Sequence, residues 1–391
     1  MGGLFNKTRE MLQDGPFLKK ALMIACPVAL QGMLNTIVNM VDTLMIGGLG
    51  STAIAAVGLA NKVFFVFSLL VFGIVSGGGI LAAQFWGNSD VKHIRKVLGL
   101  SILLALTGAL FFVIPSLSNP KMVMRIFTTS ESSIALGAQY LRIAAIAYPF
   151  LALTNVYVAM LRATNIVMFP LICSCIAIGL NICLNYVLIF GKLGAPAMGV
   201  AGAALSTLLS RVLCMVIIFV LLRRKNQMIV LDHYFKIRPE KNLICQILAI
   251  SIPSGVENGM FQFGKLAIQS TVSTMGTTAI AAQAMTNIFE NVNGVFGIGT
   301  GIGLMTVVGQ CIGAKHYKEA KYYMVKLTVI AEVGLTISCL LVYAAAHPVT
   351  LIAGMEAESA ALCMQMIAAI TIVKPVAWVL SFVPAYGLRA A

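Results

Sequence analysis

Ten stretches of this 391-residue chain are apolar for about twenty residues or more, and this feature restricts the fold more than any other. About 20 apolar residues form a helix that crosses a bilayer, where only helices and closed barrels satisfy every backbone hydrogen bond. The chain is 59% hydrophobic and 10% charged, whereas a soluble globular protein has about 25% charged residues. We therefore predict an all-α polytopic membrane protein. Its spans are expected at residues 21–46, 54–85, 96–117, 136–159, 168–190, 198–222, 243–273, 279–311, 322–346 and 360–386.

One unit occurs twice in the chain, at a constant offset of 226 positions. Residues 50–87 and 276–313 align without a gap, and 12 of the 38 positions are identical. Two proline pairs share the offset: Pro27 with Pro253, and Pro149 with Pro375. Six spans precede the second copy, and an even number gives both copies the same orientation in the membrane. We therefore predict two parallel six-helix repeats.

The longest polar interval lies between the two copies and predicts the domain organisation. We expect an N-terminal lobe of six transmembrane helices at 1–225, a cytoplasmic inter-lobe loop at 226–242 and a C-terminal lobe of four helices at 243–391. Residues 160–163 resemble residues 387–390, and the first copy then continues for two more spans. We expect that the last two helices are missing, either because the sequence is a fragment or because it is a ten-span variant.

The net charge of +14 comes from Lys and Arg residues whose distribution along the chain predicts the topology. Lys and Arg are concentrated in the N-terminal segment and in the even-numbered loops, and basic loops lie on the cytoplasmic side. The N-terminus is therefore expected in the cytoplasm, and a nucleic-acid surface is not. The nine cysteines are scattered without a second Cys or His cluster, so we expect no metal site. No acid, base and nucleophile lie at catalytic spacing, which argues against an enzyme.

The first span carries a polar stripe. Four polar residues at i, i+4, i+8 and i+11 lie on one helical face and indicate the wall of a cavity: Gln31, Asn35, Asn39 and Asp42. An ionisable group in the membrane costs a few kcal/mol or more and so marks a candidate functional site. The alternative is that Asp42, near the outer end of the span, reaches the interface.

The fifth and seventh spans supply further candidates. Asn181 and Asn185, one turn apart, can share a ligand or hydrogen-bond another helix. Glu257 follows Pro253 by four residues, and a proline opens helical backbone where a cavity is lined. Gln262 and Lys265 belong to another polar stripe on the seventh span, and Glu290 lies on the next span. Lys265 requires an anionic partner, for which Glu290 is the first candidate and Glu257 the second; an ion pair that serves structure and a role in transport are both open.

These motifs together resemble the MATE (multidrug and toxic compound extrusion) family. The run Asn39-Met-Val-Asp42-Thr-Leu-Met-Ile-Gly47 and the Ala-Ile-Ala-Ala runs resemble its first two helices. Further motifs fit the same pattern: Tyr140-Leu-Arg142, Leu161-Arg162-Ala163, the Asn181 to Gly191 run and Gly199-Val-Ala-Gly202. The resemblance implies two six-helix bundles around a cleft that opens alternately inward and outward.

The resemblance also implies an activity. It is the efflux of cationic or amphipathic compounds in antiport with H⁺ or Na⁺, in a bacterial inner (plasma) membrane. Small-molecule organic cations and membrane lipids would be the partners of a monomer, with no cofactor beyond the coupling ion. Asp42 matches the first-helix aspartate on which coupling depends. Asn181 matches the asparagine of the fifth-helix Asn-x-x-x-Asp pair, whose aspartate is Asn185 in this chain.

The NorM-type branch of the family uses acidic residues at positions that are Phe261 and Trp378 here, so the chain resembles other bacterial branches better. Glu257, one turn before Phe261, could substitute as a coupling residue. The alternative function is a lipid-linked saccharide flippase of the same superfamily. A flippase of this kind is expected to have a strongly cationic cavity, whereas the charges within the predicted spans are mixed in sign and few. A receptor or scaffold without transport is the third alternative.

Overall fold

The computed structural model describes residues 15–194, 196–224, 240–352 and 355–391. Within these ranges the chain forms helices and no strands, which confirms the predicted all-α class. The helices are α1 (Gly15–Gly47), α2 (Ser51–Gly87), α3 (Val91–Ser118), α4 (Pro120–Arg125), α5 (Glu131–Ala144), α6 (Ala147–Ala163), α7 (Met168–Phe190), α8 (Val200–Arg224), α9 (Lys241–Ser273), α10 (Thr277–Gly313), α11 (Tyr317–Ile352) and α12 (Ala357–Ala390).

The helices account for the predicted spans. In the described residues, seven helices are long and apolar enough to cross a membrane, and eight if the bent pair α5–α6 forms one span. That count does not include α1 and α9, which are 33 residues each and therefore about 50 Å long at about 1.5 Å per residue. With these two helices, each of the ten predicted spans coincides with a helix or with the bent pair.

The internal repeat is visible in the helix boundaries. At the offset of 226 residues, α1 corresponds to α9 and α2 to α10, with the same first and last positions. The starts of α3 and α5 correspond in the same way to those of α11 and α12. The glycine before each second helix also has the same left-handed backbone, with φ of 106° at Gly50 and 101° at Gly276. The repeated sequence therefore specifies repeated local structure, including the turn that a residue with a side chain rarely adopts.

One helix differs between the copies. Residues 136–159 were predicted as one span, and in the structure this region is two helices, α5 and α6, with a bend of 47° between them. Pro149 has no N–H for the carbonyl of Ala145, four residues earlier, and its ring crowds that carbonyl, so the helix breaks there. The corresponding Pro375 lies inside the continuous α12.

The chain divides into two compact units. The first unit is Leu34–Val256, and the second unit joins the segment up to Met33 to Glu257–Ala391. Helices α1 and α9 each pass from one unit to the other. The predicted boundary loop at 226–242 lies largely outside the described residues, so the lobe boundaries proposed from the sequence stay a prediction.

Each unit has its own apolar core. In the first unit the Phe67 ring is fully buried and stacks on Tyr148, with ring centroids 4.7 Å apart. In the second unit Phe289 and Ile367 belong to a smaller cluster of buried side chains. Because burial of an apolar side chain stabilises a helix contact through many weak van der Waals contacts, these clusters define which helix faces meet.

Glycines bring the helix backbones together within each unit. A Cβ on Gly73 of α2 would lie 2.7 Å from the carbonyl oxygen of Ser251 on α9. In the second unit a Cβ on Gly299 of α10 would lie 2.9 Å from the carbonyl oxygen of Ala25 on α1. Both members of the second pair are 226 positions from those of the first. The first helix of each copy therefore packs, with its N-terminal half, on the second helix of the other copy.

This packing predicts unequal effects of two neighbouring substitutions. In Gly77→Ala the new Cβ would lie 2.6 Å from the carbonyl oxygen of Ile247, so α2 and α9 must separate. We expect a loss of about 1–3 kcal/mol, the usual cost of overpacking. In Gly79→Ala the nearest atom is 3.6 Å away, an ordinary contact. Melting temperatures of the two purified variants in detergent measure the difference, and equal melting temperatures would contradict the close approach at Gly77.

Candidate functional site

In the first unit the structure brings together the three residues that the first and fifth spans predicted. The amide nitrogen Nδ2 of Asn185 on α7 donates to Oδ1 of Asp42 on α1 over 2.5 Å. The same nitrogen lies 3.3 Å from Oδ1 of Asn181, one turn earlier on α7. A carboxylate and two amides from two helices therefore form one hydrogen-bonded group.

The orientation of the Asn185 amide is fixed by a third partner. Its Oδ1 accepts a hydrogen bond from the hydroxyl of Ser206 on α8. The NH₂ group of a side-chain amide donates hydrogen bonds and the amide oxygen accepts them. Because Ser206 occupies the oxygen of Asn185, the NH₂ group of Asn185 points to Asp42. Asn185 and Asn181 are 1% and 5% exposed, whereas Asp42 is partly exposed. The carboxylate lies at the edge of a buried polar group, where an ion can reach it.

Two further residues surround this group. The guanidinium of Arg211 on α8 interacts electrostatically with Asp42, and so does the buried hydroxyl of Tyr140 on α5. Tyr140 also lies 3.4 Å from Oδ1 of Asn61 on α2. Ser206 and Arg211 were not among the predicted site residues, although an arginine inside the apolar run 198–222 was an available signal.

The polar stripe of α1 is divided between the units. Asn35, Asn39 and Asp42 belong to the first unit, whereas Gln31 belongs to the second. Asn35 and Asn39 are exposed on α1. Within the described residues, the side-chain hydrogen bond to Asp42 comes from Asn185 on α7 and not from the stripe. The role of Gln31, Asn35 and Asn39 in a cavity wall therefore stays a prediction.

In the second unit Glu290 on α10 lies between two lysines. The ammonium of Lys265 on α9 is 3.7 Å from Oε1 of Glu290, which confirms the first candidate partner. The ammonium of Lys374 on α12 is 3.7 Å from the same oxygen and 3.1 Å from the main-chain oxygen of Glu290. Lys374 had no assignment from the sequence. The three charged groups connect three helices.

A cavity of about 510 Å³ opens beside this triad, lined by residues of α10 and α12 that include Glu290, Lys374 and Trp378. The Lys374 ammonium lies 5.6 Å from the centre of the Trp378 ring, and the Lys265 ammonium 5.1 Å from the centre of the Phe261 ring. The resemblance to the family matched Trp378 and Phe261 to acidic residues of the NorM-type branch. Here both rings face cations, as an aromatic quadrupole favours.

Glu257, the second candidate for Lys265, has a different partner. Its carboxylate accepts a hydrogen bond from the guanidinium of Arg389 on α12, which also lies 4.8 Å from the centre of the Tyr386 ring. Gln262 is half-buried on α9, and its place in a cavity stays a prediction. Within the described ranges, no group of three His, Cys, Asp or Glu side chains could hold a metal ion.

Comparison with known proteins gives a family and relatives. The MatE family model matches residues 27–187 and 253–391, more than half of the chain. The probable multidrug resistance protein YoeA of Bacillus subtilis (strain 168) is 27% identical over 75% of this chain and 64% of its own length. The probable multidrug resistance protein NorM of Thermotoga maritima is 28% identical over 77% of this chain and 65% of its own length. The chain thus spans just under two thirds of these relatives.

Solved structures share the fold. A MOP superfamily transporter from Pyrococcus furiosus superposes with a TM-score of 0.83 at 21% identity, covering 95% of this chain and 82% of that one. A multidrug resistance MATE family transporter in an outward-facing conformation superposes with a TM-score of 0.81 at 23% identity, covering 95% and 81%. The family model, the internal repeat and the shared helical fold together establish that this polytopic membrane protein belongs to the MATE family.

Proposed function

We propose that the protein is a secondary active transporter that exports cationic or amphipathic compounds in exchange for H⁺ or Na⁺ by alternating access. Its membership of the MATE family supports this proposal, as do the names of its relatives, which are called probable multidrug resistance proteins. The membrane would be the inner (plasma) membrane, with the N-terminus in the cytoplasm, as the distribution of Lys and Arg predicts.

The observation that carries the proposal is the environment of Asp42. Its carboxylate is partly exposed and hydrogen-bonded to Asn185, whose own side chain is buried. A carboxylate beside a region of low dielectric gains more from a bound cation than it would in water. Gain or loss of that cation would therefore change the free energy of the Asp42 group, and coupling free energies between two sites are typically about 1–3 kcal/mol.

The group around Asp42 supports a single coupling cation. Where other family members have a second carboxylate, Asn185 presents an N–H donor, and Arg211 adds a fixed positive charge nearby. Two carboxylates that share a site need a proton or a metal ion between them, whereas the neutral Asn185 adds no second charge to be compensated. We propose that one cation is exchanged at Asp42 in each transport cycle. Asn35 and Asn39, on the exposed part of α1, would contact the transported compound.

The Asp42→Asn variant tests the coupling role. Asparagine has the same shape and keeps an oxygen that accepts from Asn185, so the fold is preserved while the charge is lost. We expect ethidium efflux from cells that lack their own pumps to fall at least about tenfold, since each 1.4 kcal/mol of lost interaction is about tenfold. Sodium-free and sodium-containing media distinguish the two coupling ions.

Asp90→Asn is the matched control for that experiment. Asp90 caps α3 outside the membrane and accepts hydrogen bonds from the main chain and ring of His93, which hold the pKa of its carboxyl below the usual range. Asparagine caps a helix as well as aspartate does, so efflux should be unchanged. Wild-type efflux by Asp42→Asn, at equal protein levels in the membrane, would remove Asp42 from the mechanism.

Stoichiometry gives a second prediction. The initial rate of efflux by the wild-type protein should depend on the driving cation with a Hill coefficient of about one. Asn185→Asp places a second carboxylate against Asp42, and the repulsion between the two requires another cation. The coefficient should then rise towards two. A wild-type coefficient of two would contradict the proposal of one exchanged cation.

A further inference from the structure

The triad in the second unit has an excess of positive charge. Lys265 and Lys374 both direct their ammonium groups at one oxygen of Glu290, so two positive charges meet one negative charge. Glu257, the carboxylate of α9, is engaged by Arg389. The triad therefore has a formal charge of +1.

The surroundings of this excess charge are apolar. The Lys374 side chain is 8% exposed, and Ile370, Val373 and Ala377 line the cavity beside it. An uncompensated charge beside apolar side chains is unfavourable, and it is less so when an anion with hydrogen-bond acceptors lies beside it. The triad therefore favours an anionic occupant of the cavity.

The volume of the cavity and the residues that line it indicate what kind of anion fits. Its volume of about 510 Å³ lies within the range of about 300–1,000 Å³ that holds a small organic molecule. Trp378 forms part of the wall and stacks on Phe382, with ring centroids 4.6 Å apart, so its ring is held in one orientation. An aromatic ring can pack on this wall while its charged group points to the lysines.

We infer that this cavity binds an aromatic carboxylate, with the carboxylate between Lys265 and Lys374 and the ring against Trp378. A carboxylate has two oxygens, and each can accept from one ammonium group. Glu290 holds the two lysines in place when the cavity is empty. The site belongs to the second unit alone, so it depends neither on Asp42 nor on the proposed efflux activity.

Tryptophan fluorescence reports on the site directly. The chain has two tryptophans, so Trp86→Phe leaves Trp378 as the single reporter. The probes are 4-nitrobenzoate and 4-nitrobenzamide, two quenchers of the same shape, of which the first is an anion at pH 7. We expect saturable quenching of the purified protein by 4-nitrobenzoate and at least tenfold weaker quenching by the amide. Asp42→Asn in the same background should quench like its parent.

The lysine variants test the assignment of the charges. Lys265→Gln and Lys374→Gln each remove the excess charge, and each should weaken 4-nitrobenzoate binding at least about tenfold. Lys265 is 45% exposed, so its variant is expected to fold even if Lys374→Gln does not. Glu290→Gln raises the excess charge, and 4-nitrobenzoate should raise its melting temperature more than that of the wild type.

Three outcomes would overturn the inference. They are equal quenching by acid and amide, unchanged affinity in Lys265→Gln, and quenching that rises linearly without saturation in every variant. A further experiment adds phosphatidylglycerol to the detergent solution. Competition by this lipid at low mole fraction would assign the site to a lipid phosphate instead, whereas unchanged 4-nitrobenzoate binding supports the carboxylate site.

Discussion

A peptide group in hydrocarbon has no water to bond to, and this constraint determines the structure. It makes each span a helix, and it leaves side chains alone to decide how helices meet. Where small residues face each other, as Gly73 and Ser251 do, backbones approach closely. A polar side chain that faces the bundle needs a hydrogen-bond partner. Asp42 accepts a hydrogen bond from Asn185, which lies more than 140 positions away in the chain.

The repeat extends from sequence to packing. Helices α1 and α9 have the same length and position in their copies, and each begins in one unit and ends in the other. Asp42 lies on α1 only nine residues beyond Met33, where that helix passes from the second unit to the first. In the proposed mechanism, a change of cation occupancy at Asp42 would act on a helix that belongs to both units.

Much of this architecture could be predicted from the sequence, because hydropathy and a fixed repeat are one-dimensional signals. The polar spacing within each span marked Asp42, Asn181 and Asn185 as candidate residues, whereas their contact with one another was found only in the structure. Arg211 and Lys374 could not be placed in this way. Each is a single charge in an apolar run. Its partner depends on how two helices are aligned with one another, and the periodicity within one helix does not predict this alignment.

In the proposed mechanism Asp42 holds the coupling cation. Proton release and loss of bound ²²Na⁺ can be measured together as substrate is added to the purified protein in weakly buffered detergent solution. We expect the wild-type protein to release one of these two cations and Asp42→Asn to release neither. Release of the same cation in the same amount by both proteins would contradict it.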